Sequence, residues 1–236
     1  MNMVRPLVSV IVAVSEGERY ISSALNSIFR QNYDPFEVIV VDGQSVDGTG
    51  VIARSFKGVK YICQAGQGLA DGRNTGIVAA QGEFIAFLDA DDLWMPDKLH
   101  EQIEHLMRNP EIHYVNAWVQ FFTDPEYRRR SGYTRKFIEQ VHIGRTPGTL
   151  VARKSAFDVV GLFSPDFSIA CDAEWFVRAG ACKLPMFIIP KVLLRKRIHN
   201  DNLSSNVSAN RKELMAVIRQ SIIRQRQHEN GMLYAK

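Results

Sequence analysis

The sequence has few cysteines and lacks the features of membrane-spanning or secreted proteins. Its 236 residues include three cysteines, Cys63, Cys171 and Cys182, without a Cys-x-x-Cys pair. We therefore expect free thiols in a reducing cytosol. No apolar run approaches the roughly 18 residues of a membrane span, and the N-terminus has no signal-peptide pattern. These absences predict a cytoplasmic protein, with peripheral contact at the inner face of the membrane left open.

The sequence also lacks internal repeats, low-complexity segments and a large excess of charge. A net charge of +4 falls short of a nucleic-acid-binding signature, so we expect no nucleic-acid partner. With 46% apolar and 23% charged residues, the composition is that of an ordinary soluble globular protein. The length allows one large domain or one domain with an appendage, and the oligomeric state is left open.

An uninterrupted apolar run followed directly by three acids is the most informative stretch. Residues 84–88 show no alternation, which predicts a strand buried on both faces of a parallel sheet. Asp89, Asp91 and Asp92 then stand at the carboxyl end of that strand, where open α/β sheets bind ligands. Crowded carboxylates suit Mg²⁺ or Mn²⁺, which usually brings a phosphate-bearing substrate. The alternative is an acidic turn in which Asp92 caps a helix that begins near residues 95–96.

Strands and helices alternate before this stretch. The pattern predicts strands over residues 7–14, 36–41 and 59–63 and helices over residues 18–30 and 69–80, which together form a doubly wound βα array. The second strand ends in Asp42, which is placed to accept hydrogen bonds from a base or ribose. Ser45 or Asp47 is predicted to cap the helix that follows it.

A glycine-rich stretch follows the third strand, but it lacks the Gly-x-Gly-x-x-Gly spacing of dinucleotide-binding dehydrogenases. In those enzymes the motif also follows the first strand, so this class is disfavoured. The helix over residues 69–80 carries Arg73 and Asn74 in its first turn. They either face the ligand cleft or belong to an ordinary helix N-terminus with a solvated arginine.

The second half is predicted to continue with a helix from Pro96 to about Asn109 and a strand over residues 112–122. Residues 124–146 are polar and contain Arg128, Arg129 and Arg130. This stretch is either a mobile loop over the site or a solvated run of charge. Further strands are predicted over residues 148–153, 186–190 and 192–198, with a short helix over residues 154–160.

Two later segments carry candidate chemistry. Asp172 stands in or just before the first turn of a helix whose buried side includes Trp175 and Phe176, and by position alone it is an N-cap. Arg197 and His199 stand at the end of the last predicted strand. They either contact phosphate together or, as is usual for a lone histidine near a loop, stand in solvent.

From Ser208 onward, apolar residues recur at helical spacing among basic residues. This basic amphipathic helix either packs on the core or lies on an anionic membrane surface. Packing is favoured, because a globular chain usually ends on a docked helix.

Together these pieces resemble a family 2 glycosyltransferase with the GT-A fold. The resemblance runs from Val8 to about Ser204 and rests on Asp42-Gly43-x-Ser45-x-Asp47-Gly48-Thr49, Gly68 through Arg73-Asn74-x-Gly76, Phe87-Leu88-Asp89-Ala90-Asp91-Asp92-x-Trp94, Cys171-Asp172 and Arg197-x-His199. It implies an α/β fold with a mostly parallel central sheet and helices on both faces. It also implies a GT-A domain over residues 1–207, with a nucleotide-binding half (1–122) and an acceptor half (123–207), before a C-terminal helix over residues 208–236.

The resemblance further implies an inverting, metal-dependent hexosyltransferase that uses Mn²⁺ or Mg²⁺ in cell-surface polysaccharide or glycolipid synthesis. Its donor is a UDP- or GDP-linked sugar and its acceptor a saccharide or a lipid-linked sugar. Asp42 binds the base, Asp91 holds the metal, Asp89 assists it nearer the ribose or sugar, and Asp172 becomes the catalytic base. The other residues assigned to the donor are Ser45, Arg73, Asn74, Arg197 and His199.

Two departures from the family pattern bear on specificity. A Pro-x-Tyr-Asn type stretch is replaced by Ala13-Val14-Ser15-Glu16, which leaves the nucleotide base open, and Cys171 stands where Glu normally precedes the base. Two other functions are considered: a non-catalytic nucleotide-sugar-binding protein on the same fold, and a sugar-phosphate nucleotidyltransferase. The presence of Asp89, Asp91 and Asp172 together disfavours the non-catalytic binding protein. The absence of a Gly-rich basic loop after the first strand disfavours the nucleotidyltransferase.

Overall fold

The structure is a computed structural model that describes residues 5–127, 133–203 and 206–233, the last with backbone alone at residues 225 and 228–233. Its first half alternates strands and helices, as the apolar runs predict. The elements are β1 (Val8–Val14), α1 (Ile21–Phe29), β2 (Phe36–Asp42), α2 (Thr49–Ser55), β3 (Val59–Cys63), α3 (Gly68–Ala79) and β4 (Phe84–Phe87).

The second half mixes short strands with helices and ends in a long helix. The elements are β5 (Leu93–Trp94), α4 (Lys98–Arg108), β6 (Tyr114–Thr123), α5 (Arg135–Glu139), β7 (Val141–Ile143), β8 (Val151–Arg153), α6 (Ser155–Val160), α7 (Cys171–Ala181), β9 (Met186–Ile198) and α8 (Val207–Leu233). A 3₁₀ turn over Pro147–Thr149 precedes β8.

Within the described residues, the strands form one sheet in the order β3-β2-β1-β4-β8-β6-β9-β5, with β7 paired to β6. The first four strands in this order are mutually parallel, and β6 is parallel to β9. Antiparallel β8 joins the two parallel groups by pairing with both β4 and β6. The carboxyl ends of β1 to β4 therefore meet at one edge of the sheet, where the predicted acids lie.

Alternate residues of the central strands face two separate core layers. Val10 and Val12 of β1 pack in a cluster with α1 and α4, whereas Ile11 packs in a second cluster with α3 and α7. All three side chains are fully buried, which explains why the strand shows no polar alternation. The predicted α/β fold with helices on both faces of the sheet is confirmed.

Two helices begin later than the sequence predicts. The residue-18 start of α1 is wrong because the Glu18 N–H donates to Asp47 Oδ2 (3.0 Å), which ties it to the loop after β2. The Pro96 start of α4 is wrong because Pro96 and Asp97 form a turn, in which the Lys98 N–H donates to Met95 O (3.1 Å), and the helix begins after it. The Met95 N–H donates to Leu193 O, and Pro96 O accepts from the Asn32 N–H.

Two predicted strands also change shape. The 148–153 strand shortens to β8, because a 3₁₀ turn occupies Pro147–Thr149. The Thr149 hydroxyl, which has one proton to donate, lies 2.9 Å from Thr146 O and 3.1 Å from Gly144 O. The strands predicted over residues 186–190 and 192–198 are one strand, β9, whose register with β6 shifts where Pro190 interrupts the pairing.

The described residues near the end of the polar stretch over residues 124–146 pack against the sheet. Its arginines Arg128, Arg129 and Arg130 lie outside the described residues. Phe137 packs on Phe121, with ring centroids 4.9 Å apart, and β7 pairs with β6. The described end of this stretch is therefore packed structure, and its role as a lid stays a prediction.

The C-terminal helix docks on the core with one face. Val217 of α8 is buried in the cluster that contains α7, and Arg224 forms an ion pair with the buried Glu174 of α7. Packing, the favoured alternative, is confirmed for this face. Leu214, Ile218 and Ile222 lie on another face and are exposed.

Candidate active site

A cavity of about 840 Å³ opens at the carboxyl ends of β1 to β4. It is closed on the far side by the segment before α7 and by the segment that follows β9. The predicted site residues that line it are Arg73, Asp89, Asp91, Asp172 and His199.

Asp89 is held between two cations. Arg73 Nη2 lies 2.9 Å from its Oδ1, and Lys196 Nζ lies 3.2 Å from its Oδ2. Burial alone would raise the pKa of Asp89, but Lys196 and Arg73 outweigh it and lower the pKa to about 2. Asp89 is therefore ionised at neutral pH, with both oxygens already engaged.

Asp92 is fully buried and joins β9 to the acidic turn. Its Oδ1 accepts from the Arg197 N–H (2.8 Å), and its Oδ2 accepts from Lys196 Nζ (3.0 Å). Burial raises the pKa of Asp92, although Lys196 opposes this. The helix-cap alternative for Asp92 is wrong, because strand β5 follows it directly and pairs with β9.

Asp91 faces the cavity and is oriented by two donors. Asn202 Nδ2 donates to its Oδ2 (3.0 Å), and His199 Nε2 lies 2.9 Å from the same oxygen. The Asp201 N–H donates to His199 Nδ1 (3.2 Å), so the proton of the neutral imidazole is on Nε2, and Nε2 donates to Asp91. His199 thus positions Asp91.

The acidic cluster could hold a metal ion. Asp89, Asp91 and Asp92 each offer a carboxylate oxygen within 4.8 Å of the others. Lys196 engages Asp89 and Asp92, so Asp91 is the carboxylate best placed to hold a cation against a phosphate. An oxygen ligand from one carboxylate fits Mg²⁺ or Mn²⁺, which keep waters and take substrate phosphates.

Arg73 of α3 and Asp172 of α7 both line the cavity. Arg73 is buried, and its Nη1 contacts Cys171 Sγ at 3.4 Å. Asp172 is the second residue of α7, after the N-cap Ala170, so the N-cap reading is wrong. Its Oδ1 accepts from the Ala173 N–H (2.7 Å), and burial raises its pKa, although Arg73 opposes this. Asp172 is a half-buried carboxylate that faces the cavity.

Asn74 does not reach the cavity. Its amide donates to Phe163 O (2.8 Å) and accepts from the Phe163 N–H (3.0 Å), which fixes the loop before α7 to α3. One helical position separates Asn74 from Arg73, and that rotation turns it toward this loop. Its assignment to the donor stays a prediction.

Asp42 and Ser45 lie beneath the cavity wall. Asp42 Oδ1 accepts from the Ser45 N–H and hydroxyl, and its Oδ2 accepts from the Tyr61 hydroxyl (2.6 Å). Ser45 Oγ also accepts from the Glu16 N–H (2.8 Å), so the loops after β1 and β2 are tied together. Their side chains are outside the described lining, which includes Gly43 and Gln44 beside them.

Arg197 contacts the backbone of the acidic turn (residues 89–92) on the side away from the cavity. Its Nε donates to Asp91 O (2.9 Å), and its guanidinium lies 4.8 Å from the Tyr20 ring centroid and 4.6 Å from that of Phe122. Among the described residues, it is Lys196 and His199 that line the cavity on this side, and Arg197 does not.

Lys196 and Asn202 are functional candidates that the sequence patterns did not identify. Lys196 lies between two arginines on β9, and the period of two along a strand puts it on the opposite face from both. This alternation was the only sequence pattern that set Lys196 apart from its two neighbours. It could not show which face meets the acids, because the contact spans 107 residues.

The sequence family described as "Glycosyl transferase family 2" matches residues 9–167. Among curated proteins, the Escherichia coli UDP-Glc:alpha-D-GlcNAc-diphosphoundecaprenol beta-1,3-glucosyltransferase WfgD is 38% identical over 106 residues, which cover 44% of this chain and 42% of that protein. The chain spans less than half the length of the curated relatives it matches first, with values of 32%, 43% and 36%.

Two solved structures share the fold at low identity. The mannosyltransferase PcManGT from Pyrobaculum calidifontis, in complex with GDP-Man and Mn²⁺, superposes with a TM-score of 0.72 at 22% identity, covering 93% of this chain and 65% of that one. S. aureus TarS 1-349 in complex with UDP gives 0.64 at 22% identity, covering 81% and 60%. Within the described residues, no helix has the length and apolarity needed to cross a bilayer.

Proposed function

The chain belongs to glycosyl transferase family 2, and on that premise we propose that it transfers a sugar from a nucleoside-diphosphate donor to an acceptor hydroxyl, with inversion. The observation that carries the proposal is the meeting of Asp91, Lys196 and Asp172 around one cavity. Such a site offers a carboxylate for a metal, a fixed cation for a diphosphate and a second carboxylate for a proton.

The donor is proposed to bind with its diphosphate beside the acidic turn. Arg73 and Lys196 line the cavity there and supply positive charge for the phosphate oxygens. TarS is described in complex with UDP and with UDP-GlcNAc, and PcManGT with GDP-Man and Mn²⁺. By analogy with these proteins of the same fold, the ligand proposed here is a UDP- or GDP-linked sugar.

Asp91 is proposed to hold the divalent cation, with His199 and Asn202 orienting its carboxylate through Oδ2. When bound, the cation would neutralise negative charge on the leaving diphosphate. The chain's own part is to place the carboxylate and exclude water. Asp42 and Ser45 support the loop over the base, since Gly43 and Gln44 line the cavity beside them.

Asp172 is proposed to act as the general base. The acceptor hydroxyl transfers its proton to Asp172 while its oxygen bonds to the anomeric carbon, and the bond from that carbon to the diphosphate breaks with its electron pair leaving on the diphosphate. Attack opposite the leaving group inverts the configuration. The burial that raises the Asp172 pKa suits a base, because a more basic carboxylate accepts a proton more readily.

The acceptor is proposed to be a lipid-linked sugar at an anionic membrane, in cell-surface polysaccharide or glycolipid synthesis. The relative WfgD is named for a diphosphoundecaprenol-linked acceptor. On α8, Leu214, Ile218 and Ile222 are exposed at intervals of four residues, beside a row of exposed cations. This row is Lys212, Arg219 and Arg226. Apolar residues beside basic ones suit a helix that lies on anionic lipid.

Calorimetry tests the donor and metal parts of the proposal. We expect UDP or GDP to bind in the presence of Mn²⁺ and to bind much more weakly after EDTA is added, because acids and diphosphate repel each other without a cation. Asp91→Ala should weaken binding as EDTA does. Asp158→Ala, an exposed acid of α6, is the matched control and should bind as the wild type does. Equal affinity in all four samples would overturn the proposal.

A further inference from the structure

Three successive backbone N–H groups before α7 converge on one carboxylate of α8. The Ser168 N–H lies 3.2 Å from Glu213 Oε1, and the N–H groups of Ile169 and Ala170 lie 2.8 and 2.9 Å from Oε2. The contact spans 43 to 45 residues of sequence. A backbone concavity of this kind binds anions, and here a side chain from another helix fills it.

Glu213 accepts one hydrogen bond from the N-cap residue of α7 and two from the residues just before it. The N-cap residue is Ala170, which has no side-chain oxygen, and the first N–H groups of any helix have no intrahelical acceptor. A carboxylate also interacts favourably with the positive end of the helix dipole. Ser168 and Ile169 line the cavity, and Asp172 follows them within one turn. The bonded segment therefore sets where the Asp172 carboxylate stands.

We propose that Glu213 is a positioning residue for the transfer reaction: its carboxylate holds residues 168–170 and thereby fixes Asp172 at the cavity wall. The inference rests on the proposed role of Asp172 as base. General-base catalysis needs the carboxylate at hydrogen-bond distance from the acceptor hydroxyl, so a small displacement of this segment lowers the rate without changing the donor site.

The contact between Glu213 and the N–H groups of residues 168–170, called the clamp below, is separate from the general docking of α8. Arg224 Nη1 also joins α8 to α7, because it lies 2.9 Å from Glu174 Oε1. Glu174 lies about one turn after the start of α7, so this contact does not involve residues 168–170. Arg224→Gln is therefore a matched control, since it removes a charged contact between the same two helices. Glu213→Gln keeps the size of the side chain but replaces one acceptor oxygen with an NH₂ group that cannot accept from an N–H.

Amide hydrogen exchange tests the clamp without an activity assay. In Glu213→Ala the exchange of the Ile169 and Ala170 amides should accelerate at least tenfold, as expected when a protecting hydrogen bond is lost. Glu213→Gln should show a smaller acceleration, and Arg224→Gln should leave these amides unchanged. Unchanged exchange in Glu213→Ala would overturn the clamp.

Kinetics tests the positioning role, using release of UDP or GDP from a panel of UDP- and GDP-sugars with prenyl-diphosphate-linked sugars as acceptors. Glu213→Ala should lower kcat by about 10- to 100-fold and leave nucleotide affinity unchanged, because the displaced group acts on the acceptor. Glu213→Gln should retain an intermediate kcat. The groups that face Asp172 from other elements, Arg73, Asp89 and Lys196, are unchanged in these variants, so a shift of the pH profile would report the segment's movement.

A double mutant separates failure of the clamp from failure of the proposed function. If Glu213 acts through Asp172, Glu213→Ala should cause no further loss in an Asp172→Asn background. Full additivity would overturn the positioning role while leaving Asp172 as the base. If Asp172→Asn alone keeps its turnover, the assignment of Asp172 as the base is wrong, and the positioning role of Glu213 fails with it. Hydrogen exchange then still decides whether Glu213 holds residues 168–170.

Discussion

Four aspartates in and beside the cavity have different partners. Two cations hold the pKa of Asp89 at about 2, whereas burial raises the pKa of Asp92 and that of Asp172. Asp91 instead receives hydrogen bonds from Asn202 and His199. These different surroundings are the basis for proposing different roles, with Asp172 as the base and Asp91 as the metal ligand.

Asp172→Asn should remove the base and preserve the fold. Asn cannot accept the proton, so transfer should fall at least about 100-fold. Unfolding temperature and nucleotide affinity should stay close to wild type, since the Asn oxygen can still accept from the Ala173 N–H. Turnover and thermal denaturation measure the two effects. Asp166→Asn, an exposed acid in the loop before α7, is the control, and an equal loss in both variants would contradict the assignment.

The pH dependence of transfer should follow the ionisation of Asp172. Its pKa is raised, so the carboxylate becomes protonated and inactive as pH falls through a value above the ordinary aspartate pKa of about 3.9. The acid limb of kcat/KM should therefore lie above that value. The residual activity of Asp172→Asn should lack this limb. An acid limb at the ordinary value in the wild type would show that a different group controls the rate.

At the scale of elements, α3 approaches β1 closely because Gly76 has no side chain. A Cβ added at Gly76 would stand 2.4 Å from Ile11 Cγ2, inside a fully buried layer. Close packing of a helix on a sheet at this point is what places Arg73, one turn earlier on α3, against Asp89. The geometry of the site thus depends on a residue that takes no part in its chemistry.

Gly76→Ala should destabilise the protein by about 1–3 kcal/mol, since the added methyl group overpacks the core by more than the gain in helix propensity. The same substitution at Gly180, near the end of α7, should be neutral or stabilise by up to about 1 kcal/mol. No described atom outside its neighbours lies within 4 Å of a Cβ added there. Urea denaturation compares the two, and equal effects would mean that α3 can shift without cost.

Helix α8 has one face on the protein and another in solvent. Glu213, Val217 and Arg224 face α7 and the segment before it, whereas the apolar stripe of Leu214, Ile218 and Ile222 is exposed. Packing and membrane contact are therefore compatible, because they use different sides of the helix.

The stripe should govern binding to anionic vesicles. Ile218→Ser with Ile222→Ser should reduce co-sedimentation with phosphatidylglycerol vesicles severalfold and leave the unfolding temperature unchanged, since both side chains are already exposed. Val78→Ser with Val159→Ser, exposed on other helices, should bind as the wild type does. Dimerisation that is lost in the first variant, with no vesicle binding in the wild type, would assign the stripe to a second copy.

On the scale of the whole molecule, the cavity is assembled from the ends of β1 to β4, the start of α7 and the segment after β9. A ligand that bridges these parts stabilises the folded state, because it does not bind the unfolded chain. The boundary proposed at residue 207 stays a prediction, although α8 is joined to the site through Glu213.

Nucleotide and metal should raise the unfolding temperature together. At 100 times Kd a ligand adds about 2.7 kcal/mol, and for a chain of this size each kcal/mol corresponds to about 2–4 °C, so we expect a shift of roughly 5–10 °C. Thermal denaturation with UDP or GDP, with Mn²⁺, and with both should show the largest shift for the pair. Asp91→Ala should lose the extra shift. A shift with nucleotide alone that equals the shift with both would contradict metal-dependent binding.

The local sequence was sufficient to predict the βα array, the acids after β4 and the helix that carries Asp172. Buried strands are recognised from unbroken apolar runs, and the carboxyl end of such a strand is known once its direction is known. The order of the motifs was enough to recognise the family. The apolar runs lie within short segments, and the order of the motifs is read along the chain. Neither requires knowledge of a contact between distant residues.

Only the tertiary structure decided which side chains complete the site. Lys196 reaches Asp89 across 107 residues, Glu213 reaches Ala170 across 43, and Asn74 turns to Phe163 instead of the cavity. Periodicity specifies which residues share a face of an element, but which face meets which neighbour depends on how the sheet is ordered and how the helices pack on it. That ordering is a property of the whole fold, so it could not be read from any single stretch of the chain.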